Sequence, residues 1–139
     1  MVGLTPAEYA SLTAHEKARW LTAARPDTPE LEALVLAETD VSVRAAAAHG
    51  FHQSEAFSTR LYEVESDPQL REVIATNPSA QLELLEAVPV GRHIGASLAA
   101  YARRAQLSAA EQEALGAFVE ANPADTRPLA EIVALLRTR

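Results

Sequence analysis

Residues 38–50, ETDVSVRAAAAHG, and residues 65–77, ESDPQLREVIATN, line up at a fixed offset of 27. Glu38, Asp40, Val43, Arg44, Ala47 and Ala48 fall on Glu65, Asp67, Leu70, Arg71, Ile74 and Ala75. The same spacing sets Leu34, Leu61, Val88 and Leu115 in one apolar column. Related stretches, TPELEALVLAETD and SEAFSTRLYEVESD, run up to the two Asp residues, and Asn77-Pro78 has a counterpart in Asn122-Pro123. A period of this length describes one supersecondary unit, too small to enclose its own apolar stripe. Neighbouring units must therefore stack to bury it, which narrows the accessible folds to arrays of like elements.

The elements are helices. Thr5-Pro6-Ala7-Glu8, Thr13-Ala-His-Glu16 and Ser108-Ala-Ala-Glu111 are capping-box patterns, in which a hydroxyl and a carboxylate satisfy the free amides of a first turn. Thr28-Pro29 and Asp67-Pro68 place proline just after a cap, where its missing N–H costs nothing, and Asp40 is a cap of the same kind. Gly50, and Arg25 and Asn77 before prolines, mark stops. The spacing predicts helices over 6–11, 14–24, 29–38, 41–49, 55–65, 68–76, 80–88, 91–105, 109–121 and 126–137. No stretch alternates apolar and polar residues with β-branched enrichment, so strands are not expected. Ala makes up about a fifth of the 139 residues and aromatics only 5%, a composition that favours closely packed helices. After Asp40, Val43, Ala46, Ala47 and Gly50 fall on one face, and in the next unit Leu70, Val73, Ile74 and Asn77 do the same.

An Asn-Pro-like turn, a helix with Leu near its end, then Asp-x-x-Val/Leu-Arg and a short Ala-rich helix: this pattern resembles the leucine-rich-repeat variant family, a relative of the HEAT-like α-solenoids. The likeness is best over residues 26–89 and frays beyond, where Ile94 stands at the Asp position and Leu98 at the Arg position. The resemblance implies an all-α fold, a short right-handed α-solenoid of two helical layers. The expected organisation is a single domain with an N-terminal cap over 1–25, repeats over 26–107 and a C-terminal cap over 108–139. Trp20, Leu12 and Leu21 would fill the first cap, and Leu115, Phe118, Val119, Leu129, Ile132, Val133 and Leu136 the second. A compact bundle of four to six helices is the rival architecture. The iron–sulfur module associated with the family does not carry over, because the chain has no Cys.

The lack of Cys also excludes disulfide scaffolds and Cys-ligated zinc. The longest apolar run falls well short of the ~18 residues a membrane span needs, and the first residues lack the basic and apolar regions of a signal peptide. A soluble, cytoplasmic protein is the expectation. His49 and His52 are separated by the helix stop at Gly50, and His15-Glu16 lacks the second His of a zincin motif, with Arg19 at that position. No metal or cofactor is expected. Gly91-Arg-His-Ile-Gly95 is neither a phosphate-binding loop nor a dinucleotide fingerprint, and no nucleophile elbow occurs. Asp40/Arg44 and Asp67/Arg71 recur four apart and read as caps and rungs inside the stack.

These features imply a non-catalytic, protein-binding module. The helices before each Asp carry Glu30, Glu32, Glu38, Glu55, Glu63, Glu65, Glu83 and Glu86, and the net charge is −7. Side by side they would form an acidic face for a basic protein segment, with Glu32, Glu55, Glu83 and Glu86 contributing charge and Tyr62 and Phe57 apolar anchorage. The alternatives are a nucleic-acid-associated factor using Arg92, Arg103, Arg104, Arg127, Arg137 and Arg139, or an enzyme of unrecognised type. The acidic balance opposes phosphate binding, which needs several cations on one face.

Overall fold

In the computed structural model, residues 4–50, 54–78, 80–91 and 94–138 are described. They are all-helical, and the chain divides into two compact units, residues 1–80 and 81–139.

The first unit holds α1 (Pro6–Ala10), α2 (Ala14–Ala23), α3 (Pro29–Leu36), α4 (Val41–His49), α5 (Glu55–Val64) and α6 (Pro68–Thr76). Two successions of packed helices run through it, α1 on α3 on α5 and α2 on α4 on α6. The caps repeat at atomic detail. The Asp40 carboxylate accepts the N–H groups of Ser42 and Val43 at 2.9 and 3.3 Å, and Asp67 accepts those of Gln69 and Leu70 at 2.8 and 3.4 Å. Both helices then stop in the same extended conformation, Gly50 at φ −61°, ψ 132° and Asn77 at φ −62°, ψ 135°. Neither value needs glycine. The repeated conformation leaves carbonyls at the end of α4 without intrahelical partners, and the buried Asn77 side chain answers them. Its Nδ2 donates to Ala48 O at 3.1 Å and Gly50 O at 2.8 Å.

The 27-residue register also reaches back into the stretch assigned above to a cap. Thr13 caps α2 just as Asp40 caps α4 and Asp67 caps α6. Leu21, Ala48 and Ala75, at that spacing, are all buried. Glu16 departs from the pattern: it stands where Val43 and Leu70 are buried, because its carboxylate closes a capping box with Thr13 at 2.9 Å. That substitution hides the third copy from a comparison by residue type.

The apolar column is buried at Leu61, Val88 and Leu115, whereas Leu34, also expected in the core, is only half-buried. On the face after Asp40 every expected residue is sealed; after Asp67, Val73 is half-buried and the rest are sealed. Asp40 forms no ion pair with Arg44, nor Asp67 with Arg71; each carboxylate caps its helix through Oδ1.

The second unit holds α7 (Leu82–Glu86), α8 (Gly95–Arg104), α9 (Ala109–Ala121) and α10 (Leu129–Arg137). Helix α7 packs on α8 and α10, and α9 packs on α10. Three of these helices are shorter than the spacing predicts. Residues 80–88 taper to five helical residues before Pro89, and α10 begins only after Pro128. Between those prolines lies an isolated antiparallel bridge, with Val90 N donating to Arg127 O at 2.8 Å and Leu129 N to Val88 O at 2.9 Å. Helix α8 ends on Gln106 at φ 56°, the one non-glycine residue with positive φ among the described residues. There Leu107 N reaches back to Ala102 O at 3.0 Å and Gln106 N to Arg103 O at 3.3 Å, the paired bonds of a Schellman stop. Leu115, Leu129, Ile132 and Val133 are buried as expected; Phe118, Val119 and Leu136 are half-buried.

Two substitutions probe this packing. Asn77→Ala leaves the Ala48 and Gly50 carbonyls short of a donor in a buried setting, so chemical denaturation should show a loss of about 1–3 kcal/mol. Leu61 is 6% exposed, and Leu61→Ala should cost ~2–5 kcal/mol by the same measurement, more than Leu34→Ala, because a sealed site collapses less around the cavity.

Candidate protein-binding surface

In the first unit, the glutamates expected to form an acidic face fall into three groups. Glu38 and Glu65 are turned to cations of the other helical succession. Lys17 Nζ lies 2.9 Å from Glu38 Oε1, and Arg44 Nε lies 3.4 Å from Glu65 Oε1. Lys17 and Arg44 are 27 apart, as are Glu38 and Glu65, so each rung joins a cation to a carboxylate 21 residues later. Glu65 is buried, and its other oxygen accepts the Asp67 N–H at 3.0 Å, which ties the rung to the next cap. Glu32 forms the second group: half-buried on α3, it meets Arg60 of α5 at 3.0 Å. Only the third group stands open to solvent in the first unit: Glu30 on α3, and Glu55 and Glu63 on α5.

The aromatic anchors belong to the core instead. Phe57 is 1% and Tyr62 7% exposed. The Arg71 guanidinium lies over the Tyr62 ring at 4.2 Å, and burial raises the Tyr62 phenol above its ordinary pKa despite that cation. Tyr62 is therefore corrected from a contact residue to a platform. It points inward because α5 must present Phe57, Ser58, Leu61 and Tyr62 to one side at helical spacing. Tyr9 is used in the same way, with Lys17 Nζ 5.0 Å above its ring and Trp20 edge-on at 5.8 Å. Burial and the nearby Glu38 charge push the Tyr9 phenol well up.

In the second unit Glu83 is exposed and Glu86 half-buried on α7. The Glu86 charge helps burial raise the Tyr101 phenol. Two of the described C-terminal arginines are taken up by carboxylates. Arg127 is held by Asp125 at 2.7 Å and lies over Phe118 at 5.8 Å, Arg137 meets Glu111 at 2.5 Å, and Arg103 and Arg104 are exposed in the last turn of α8. Arg92 and Arg139 lie outside the described residues, as do His52 and His93. His15 and His49 are exposed on α2 and α4. Among the described residues no three His, Asp or Glu side chains converge, and no helix is long and apolar enough to cross a membrane. A hollow of about 220 Å³ lies between α9 and α10, floored by Ala110, Ala114, Val133 and Leu136 with Glu111 and Arg137 at its rim.

The rungs were within reach of sequence reading. Lys17, Arg44 and Arg71 share the 27-residue spacing, but Lys17 stands outside the residues that match by identity. Comparison with family models, curated proteins and solved structures finds no match.

The rim of the α9–α10 hollow supplies a pH test. The Arg137 guanidinium, and then the Ser108 N–H, hold the Glu111 carboxyl down to about 2. A depressed carboxyl stabilises the folded chain above the ordinary carboxyl range, and that contribution fades as pH falls toward 2. Carbon-detected titration should place the Glu111 midpoint well below that of ordinary glutamates, and Arg137→Gln should return it most of the way.

Proposed function

We propose that the chain is a non-catalytic protein-interaction module of the leucine-rich-repeat-variant or HEAT-like kind. Its helices would form a short right-handed α-solenoid with capping helices at the two ends. The observation that carries this reading is the twofold recurrence of cap, cation and carboxylate at one spacing: Asp40 and Asp67 at the caps, Lys17–Glu38 and Arg44–Glu65 as rungs. Repeat arrays of this kind expose one succession of helices as an extended binding surface. Here that surface carries Glu30, Glu55 and Glu63.

The partner this surface suits is a basic protein segment. Exposed carboxylates steer such a segment and set its salt response, while single exposed ion pairs add only about 0–1 kcal/mol each. Apolar contact has to come from elsewhere than Tyr62 and Phe57, and the exposed Val64 at the end of α5 is the nearest candidate in sequence. Glu83 and Glu86 on α7 form a second acidic cluster of the same expected role.

The test uses a short Lys/Arg-rich peptide and fluorescence anisotropy with the whole chain. Binding should weaken as salt rises past about 0.15 M. Charge reversal of Glu30, Glu55 and Glu63 to Lys, or of Glu83 and Glu86 to Lys, should lower affinity while the helical signal and melting temperature stay nearly unchanged. A peptide bound equally by both reversed proteins, with the same salt response, would falsify the acidic-face reading.

A further inference from the structure

Two large apolar side chains of the first unit stay open to solvent, Val41 at 59% and Val64 at 56% exposed. They stand on successive turns of the stack: Val41 opens α4 after the α3–α4 turn, and Val64 closes α5 before the α5–α6 turn. Because α3 packs on α5 and α4 on α6, the two turns are neighbours along one edge of the unit. The 27-residue register sets like residues beside the valines, Ala37 before Val64 and Pro68 after Val41, and both are exposed. Pro68 serves the start of α6. The valines do nothing comparable, since a β-branched side chain gains little in a helix and each keeps more than half of its surface in water. Exposed apolar residues scattered singly are ordinary; four in register on adjoining turns mark a contact surface.

The charge of the same edge has one sign. Residues 36–42 and 63–69 hold five carboxylates, Glu38, Asp40, Glu63, Glu65 and Asp67, and no Lys, Arg or His. Lys17 and Arg44 take up Glu38 and Glu65. Of the remaining three, Asp40 and Glu63 are exposed and Asp67 is half-buried. Among the described residues each Asp is engaged through Oδ1 alone, in its cap.

We propose that this edge docks a polypeptide segment carrying aliphatic side chains together with Lys or Arg, with Val41 and Val64 as its two apolar contacts. The inference rests on the basic-segment reading above and adds where the apolar contact comes from. The unbalanced carboxylates set the sign of the partner, and the valines set its aliphatic character. Packed helices lie about 8–10 Å apart, a distance spanned by about three residues of extended chain. Aliphatic residues three apart, with cations between them, therefore reach both turns.

The experiment titrates the whole chain, methyl-labelled at valine, with Ac-Gly-Leu-Lys-Lys-Leu-Gly-amide and with Ac-Gly-Ser-Lys-Lys-Ser-Gly-amide, at low and high salt. Both peptides should bind more weakly as salt rises, with the Leu peptide roughly tenfold tighter. Only the Leu peptide should move the Val41 and Val64 methyl signals, and saturably. The double variant Val41→Ser, Val64→Ser should hold the Leu peptide no better than the Ser peptide while keeping the salt response. Equal affinity for the two peptides, with the salt response intact, overturns the edge and leaves the basic-segment reading standing. So does an undiminished Leu preference in the folded double variant, or Leu-peptide binding that moves neither methyl signal. Binding of neither peptide at either salt removes the basic-segment reading and the edge with it. Should the double variant not fold, the methyl titration of the natural chain decides.

Discussion

Helix α4 has almost no side chains large enough to fill space, yet it is sealed on its inner face by Val43, Ala46, Ala47 and Ala48. A helix of nine residues is marginal by itself, and one lined by alanine gains little from any single contact. It is stable because α2 and α6 both pack on it, and alanine allows their backbones to come close. The rest of the first unit depends on this double burial. If either neighbour were missing, the alanine stripe would face water and the short helix would have no reason to persist.

Close approach of backbones brings a second demand. Each helix end leaves amides or carbonyls unpaired, and in a tightly packed stack water does not reach all of them. The chain meets this demand with short polar side chains placed at the ends. Asp40 and Asp67 answer the amides at the start of α4 and α6, and Asn77 answers the carbonyls at the end of α4 across one repeat. The charged rungs then occupy the seam between the two helical successions. Lys17 lies over Tyr9 and Arg71 over Tyr62, although the rings are 53 residues apart and the cations 54, so the two platforms differ by one position in the register. Arg44 has Val35 at the Tyr62 position and a carboxylate partner; Arg71 has the ring and no carboxylate among the described residues.

This arrangement changes the meaning of the acidic composition. Eight glutamates before the Asp positions look interchangeable as letters, but they play different parts. Glu38 and Glu65 pair with Lys17 and Arg44, Glu32 is tied to Arg60, and Glu30, Glu55 and Glu63 are exposed. Sequence reading treats them as one face because helical spacing states which side of a helix a residue takes and not which cation lies opposite. Tyr62 was misplaced for the same reason: an aromatic residue among glutamates looks like an exposed anchor until the neighbouring helix covers it.

By itself the sequence determined the ten helices of the described residues, most of their starts and the 27-residue register, because caps, prolines and apolar spacing act over a few residues and need no tertiary contact. It was silent where the deciding partner is distant. The start of α8 at Gly95, four residues later than the spacing predicts, is one such place, whereas its end at Arg104 falls within a residue of the expected 105. The bridge between Val90 and Arg127 joins segments whose own patterns are not those of strands. The membership of α2 in the repeat was masked by Glu16, whose capping role outweighed the apolar preference of its position. Which carboxylates pair, which aromatics are buried and which cation is left over were decided only when the helices packed, since ion pairs and burial depend on distances between residues that the chain order does not set.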